Sequence, residues 1–190
     1  MTDTTPHLRG INHLALVTPN MEETVRFYHG VLGARLVATI GTPDFRHYFF
    51  EIAPGNTVAF FEYRRFKVPT FSKPAGVPDE RAPQFDHLSF NVADEQALEA
   101  LRRRLKEHHV EVTDEVDHQV IRSIYFNDPH GIALEASFWV RDATAADGDP
   151  GDERFFGDPD PVPAVRELAE RGEIAWSSET HLTPEGDPVI

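Results

Sequence analysis

Two stretches decide the fold: Ile11-Asn12-His13-Leu14-Ala15-Leu16-Val17, and Phe85-Asp86-His87-Leu88-Ser89-Phe90-Asn91. Each sets a histidine behind an Asn or Asp and follows it with alternating apolar residues, the period of a half-buried strand. The offset between the histidines is 87 − 13 = 74 residues, and seven residues beyond each stands a good helix N-cap, Asn20 and Asp94. The caps open amphipathic segments, Met21 to Leu32 and Glu95 to His108, and after each the period turns strand-like. Candidate strands follow at Arg35 to Ile40, Arg46 to Ala53 and Thr57 to Tyr63, then at Val110 to Val116, Val120 to Asn127 and Gly131 to Trp139. The chain therefore repeats a strand-helix-three-strand unit, an α+β design of two βαβββ modules over residues 8–63 and 85–140, with a Pro/Lys/Arg-rich connector at 64–84.

A chain of 190 residues with 40% apolar side chains suffices for one substantial core. Residues 142–190 carry thirteen acidic against three basic side chains, so −10 of the formal charge of −14 belongs to an acidic C-terminal extension. Within it, 142–161 reads as an irregular linker and Val162 to Arg171 as one short helix before Gly172. That tail is either a solvated extension or a segment anchored by Phe155, Phe156 and Trp176. The charge argues against nucleic acid or an anionic membrane as partner, since a phosphate backbone requires a Lys/Arg footprint. No apolar run reaches the roughly eighteen residues of a transmembrane helix, and Met1 to Gly10 lack the features of a secretory leader, so the expectation is a soluble, cytoplasmic protein. With no cysteine, any metal must be held by His, Asp or Glu.

Strand parity then selects ligands. His13 shares its face with Ala15, His87 with Ser89, and Glu135 with Ala133 and Ser137, whereas the neighbouring faces carry Leu14, Leu16, Leu88, Phe90 and Leu134. Small residues beside each candidate leave room for a metal and a substrate. A lone strand histidine is more often a hydrogen-bonded core or surface residue; two in matched register favour ligation. Glu135 among apolar neighbours is costly unless it meets a cation. Two histidines and a carboxylate leave open positions and suit Fe(II) or Mn(II), while also accepting Zn(II), Ni(II) or Co(II). His47, His108 and His109 read as surface residues, and Phe45, Phe49, Phe60, Phe61 and Phe66 as candidates to line an aromatic pocket.

Over about residues 8–140 the chain resembles the vicinal oxygen chelate superfamily of glyoxalases, bleomycin-resistance proteins and extradiol dioxygenases. The resemblance implies paired modules in a curved mixed sheet around a metal held by His13, His87 and Glu135. Val116-Asp117-His118, five further residues, and then Ile124-Tyr125-Phe126-Asn127-Asp128-Pro129-His130-Gly131 with Glu135 look like the extradiol ring-cleavage signature. It implies His118 as acid/base, Tyr125 as hydrogen-bond partner of the substrate, Fe(II) as cofactor, O2 and a catecholic aromatic as substrates, and by analogy a homodimer. Glyoxalase-type members use a fourth ligand, a Glu on the fourth strand; its equivalent here is Ala59, with Glu62 on the opposite face. Two other readings share the ligand set: a metal-dependent lyase, isomerase or epimerase, whose spare base would be Glu62, and a non-catalytic small-molecule-binding or resistance protein.

Overall fold

A computed structural model describes residues 11–80, 85–142 and 163–172. The first module runs β1 (His13–Val17), α1 (Met21–Val25), a π-helical turn (Arg26–Val31), β2 (Arg35–Gly41), β3 (Phe45–Ala53) and β4 (Asn56–Tyr63). The second runs β5 (Leu88–Asn91), α2 (Glu95–Glu107), β6 (Val116–Asp117), β7 (Ile121–Asn127) and β8 (Ala133–Trp139). Each module closes its own four-stranded mixed sheet, in the orders β1-β4-β3-β2 and β5-β8-β7-β6, with the first strand parallel to the last. Residues 11–142 lie within one compact unit, and α3 (Pro163–Arg171) belongs to a second. Phe155, Phe156 and Trp176, and the expected 142–161 linker apart from Asp142, fall outside the described residues.

Both caps form as their sequence requires. The Asn20 side chain accepts from the Glu22 and Glu23 amides at 3.1 and 3.3 Å, and Asp94 from Ala97 at 2.9 Å. The first helix differs from expectation: after Val25 it widens, with the Leu32 amide bonded to the Phe27 carbonyl at 3.0 Å, five residues back. The wider turn buries Phe27 and Tyr28 side by side.

Val110 to Val116 is not a continuous strand. Val112 makes an isolated bridge to Phe126, and ladder pairing resumes only at Val116. The cause is local competition for hydrogen bonds. The Thr113 hydroxyl accepts the Tyr125 amide at 3.0 Å, and the Thr113 carbonyl is taken by Arg102 Nε at 3.0 Å.

One apolar core unites the modules: Met21, Phe27, Tyr28, Phe50, Val58 and Phe60 from the first, with Leu98, Leu105, Ile124, Phe126, Leu134 and Ala136 from the second. Full burial of each large apolar side chain contributes about 1.5–3 kcal/mol. Polar links reinforce the join. Tyr28 donates to Asp128 at 3.4 Å, and Arg104 to the Gly30 carbonyl at 2.9 Å. The helix-side face of each sheet is thus committed to the shared core, and the other faces turn away from it.

Candidate metal and ligand-binding site

The outward face of the second sheet gathers four of the five residues singled out from sequence. The Nε2 atom of His87 lies 2.9 Å from Oε2 of Glu135, whose side chain is almost wholly buried. Tyr125 stands directly opposite Glu135 in the β7–β8 ladder, and its ring meets that of His87 edge-on at 6.3 Å. His118 Nε2 lies 2.8 Å from the Tyr125 hydroxyl. Burial, with the Glu135 charge behind it, pushes the Tyr125 phenol above its ordinary pKa. Ser89 and Ser137 hydrogen-bond at 2.8 Å on the same face, so the floor beside the carboxylate is lined by small polar side chains.

His13 lies elsewhere, on the outward face of the first sheet, with its ring 5.5 Å from Phe49 and 6.3 Å from His47. Among the described residues, no three His, Cys, Asp or Glu side chains are grouped so as to hold one metal ion within the chain. The modules nevertheless match position by position. Ala15 pairs with Ala59 as Ser89 pairs with Glu135, and Phe49 faces Ala59 as Tyr125 faces Glu135. At these matched positions the first module offers His13 and no carboxylate, and Ala59 occupies the place that Glu135 holds in the second. Glu62 points to the other face, paired with Arg46 and accepting the Met21 amide at 3.3 Å.

His47 corrects the sequence reading. It is 6% exposed, not a surface residue, because β3 alternation turns it to the His13 side and Phe61 stacks on it at 3.6 Å. Burial, and then His13, lower its pKa. Phe45 and Phe49 share that face, whereas Phe60 belongs to the core and Phe66 is exposed.

Sequence reasoning also passed over the residues that hold the histidines. Asn12 Oδ1 lies 2.8 Å from His13 Nδ1, and Asp86 Oδ1 lies 2.6 Å from His87 Nδ1. The signal was present in both repeats as an Asn or Asp one place before each histidine. The bonds to His87, Lys73 and the Gly76 amide hold the Asp86 carboxyl well below the usual carboxylate range.

These donors suit a divalent ion. With Nδ1 hydrogen-bonded to an acceptor, the lone pair of a neutral imidazole sits on Nε2. Two donors about 2.0–2.2 Å from one ion and at right angles stand about 3.0 Å apart; the 2.9 Å between His87 Nε2 and Glu135 Oε2 is a direct hydrogen-bond distance that also fits that spacing.

With this geometry established, comparison with known proteins assigns the family. The model described as the Glyoxalase/Bleomycin resistance protein/Dioxygenase superfamily matches residues 10–136. The chain belongs to that superfamily. A glyoxylase/bleomycin resistance protein/dioxygenase domain from Frankia sp. EAN1pec is similar at 23% identity and a TM-score of 0.60, over 70% of this chain and 99% of that one. The fosfomycin resistance protein FosX from Mesorhizobium loti shares 20% identity with a TM-score of 0.51, over 68% and 91%. The antibiotic-binding protein TnmS3 from a Streptomyces species shares 15% with a TM-score of 0.55, over 71% and 99%. At these identities the likeness is one of fold. Members of the glyoxalase/dioxygenase superfamily typically bind divalent metals and commonly act as small-molecule-binding dimers. No helix among the described residues is long and apolar enough to cross a membrane.

Proposed function

We propose that this superfamily member is an Fe(II)-dependent extradiol-type dioxygenase that opens a catecholic ring with O2. The observation that carries the reading is the His118–Tyr125 pair, 2.8 Å apart, beside the His87–Glu135 donor pair on one sheet face. A lyase or isomerase of this fold would need a spare base by the metal, and Glu62 is engaged with Arg46 on the opposite face.

His87 and Glu135 would hold the metal together with His13 from a second copy. Both modules commit apolar side chains to one shared core, and His13 forms no metal-holding group with His87 and Glu135 within one copy, which supports a third ligand from a second copy. A homodimer in which each first module faces its partner's second module completes two equivalent sites. Bound there, Fe(II) supplies Lewis acidity toward the vicinal oxygens and a path for electrons from the ring to O2.

The chain's own groups do the rest. His118 Nε2 takes the proton of a catechol hydroxyl and returns it to the opening ring, the task of an imidazole near neutral pH. The Tyr125 hydroxyl donates to a substrate oxygen and fixes its orientation. Phe45, Phe49 and Phe61 line the approach beside His13, a surface suited to an aromatic ring. Both oxygen atoms enter the product as one ring C–C bond breaks, so no external reductant is required.

The test is anaerobic purification, Fe(II) reconstitution and oxygen uptake against a panel of catechols. Stoichiometric uptake with a yellow ring-opened product is the expected result. Tight metal binding without uptake across the panel overturns the dioxygenase assignment.

A further inference from the structure

We propose that the residue preceding each metal-binding histidine is a positioning residue, and that Lys73 of the connector locks the second of them, Asp86, so that the His87 imidazole presents Nε2 beside Glu135. The inference rests on the metal reading above and adds three residues to it, Asn12, Asp86 and Lys73, that the ring-cleavage signature does not contain.

The contacts around Asp86 account for both of its oxygens. Oδ1 accepts from His87 Nδ1 at 2.6 Å and from the Gly76 amide at 2.7 Å, and Oδ2 accepts from Lys73 Nζ at 2.6 Å. A carboxylate oxygen accepts, so once Nε2 is given to an ion the hydrogen of His87 lies on Nδ1 toward Asp86; without an ion, Glu135 at 2.9 Å from Nε2 competes for it. Lys73 is 8% exposed, and its Nζ also reaches the carbonyls of Pro74 and Val77 at 3.3 and 3.4 Å, which employs all three of its donors. A buried ammonium is costly unless it is paired and hydrogen-bonded, so Asp86 and Lys73 hold each other in place.

The first module arrives at the same orientation with a neutral side chain, Asn12 on His13 Nδ1 at 2.8 Å. Recurrence of one contact at matched positions in both repeats is more than the docking of a loop requires. Connector residues 73–76 thereby become part of the metal site, and the ring angle of His87 is fixed before any ion arrives.

The measurement is Zn(II) affinity of the full chain by chelator competition, for wild type, Asp86→Ala, Asp86→Asn, Lys73→Met and His87→Ala, with thermal melts alongside. Nitrogen-15 NMR of the Zn(II)-loaded and metal-free protein reads the His87 tautomer. Asp86→Ala is expected to weaken Zn(II) binding about 10–100-fold. Asp86→Asn should recover part of that loss, because its carbonyl can replace the acceptor as Asn12 does, and Zn(II)-loaded wild-type His87 should carry its hydrogen on Nδ1. A merely structural clamp would lower the melting temperature without changing the tautomer or the affinity of the folded protein. If Asp86→Ala does not fold, Asp86→Asn and Lys73→Met decide: a mixed His87 tautomer with weakened binding in Lys73→Met supports the proposal, and wild-type values in both overturn it. Unchanged affinity in Asp86→Ala with loss in His87→Ala overturns the positioning role alone; unchanged affinity in His87→Ala overturns the metal site itself.

Discussion

At the scale of single residues, the proposed ligands and the proposed proton carriers are separate side chains. His118 lies next to Tyr125 rather than next to Glu135, so its removal should spare the metal and stop the chemistry. His118→Ala is expected to lower kcat about 10²–10⁴-fold, the usual worth of a positioned acid or base. Metal content should be unchanged, and oxygen uptake with parallel metal analysis checks both. Tyr125→Phe keeps the ring against His87 and loses only the hydroxyl. Its effect should therefore appear in substrate orientation, as a smaller fall in kcat/KM than that of His118→Ala. His47 shows how a residue's meaning depends on its neighbours: a histidine on an alternating strand reads as solvated until Phe61 is found stacked over it.

At the scale of elements, two short segments carry more than their length suggests. Gly131 closes the Asp-Pro-His-Gly turn at φ +91°, and an added Cβ would lie 2.5 Å from Ser72 Oγ and 2.6 Å from the Phe71 carbonyl oxygen. Close backbone approach and a left-handed conformation both demand glycine there. Gly131→Ala should cost about 2–4 kcal/mol, combining αL strain with displacement of the connector, and urea unfolding reads it. The broken edge segment around Thr113 makes a second case. Its hydroxyl is the acceptor for the Tyr125 amide, so Thr113→Val should cost about 1–2 kcal/mol while Thr113→Ser costs less. If the valine variant is as stable as wild type, that hydroxyl does not hold the strand.

At the scale of the whole molecule, the shared core fixes what one copy can do. It joins the helix-side faces and leaves His13 on one outward face and His87 with Glu135 on another. In a dimer that pairs first modules with second modules, every site draws on both copies. Two variants inactive alone, His13→Ala and His87→Ala, should then regain activity when unfolded and refolded together. Half of a statistical mixture is the mixed dimer, in which one site keeps every ligand and the other loses both histidines, so about a quarter of the wild-type sites return. No recovery on co-refolding, with both variants dimeric by sedimentation, would place all three ligands in a single copy.

The sequence alone determined the repeat, because a 74-residue offset between two Asx-His strands, each followed at seven residues by a cap, has a direct physical reading as two like modules. It also determined which strand faces bear His87, Glu135 and Tyr125, since a period of two leaves little freedom once the apolar face is known. Local hydrogen-bond competition was less legible: Thr113 and Arg102 stand 11 residues apart, and their bond breaks a strand that propensity favours. Only the tertiary structure decided the buried state of His47, the engagement of Glu62 with Arg46, and the Lys73–Asp86 lock. It alone also parted His13 from His87 and Glu135. Each depends on contacts between segments distant in the chain, and parity assigns a face to a strand without saying what that face meets.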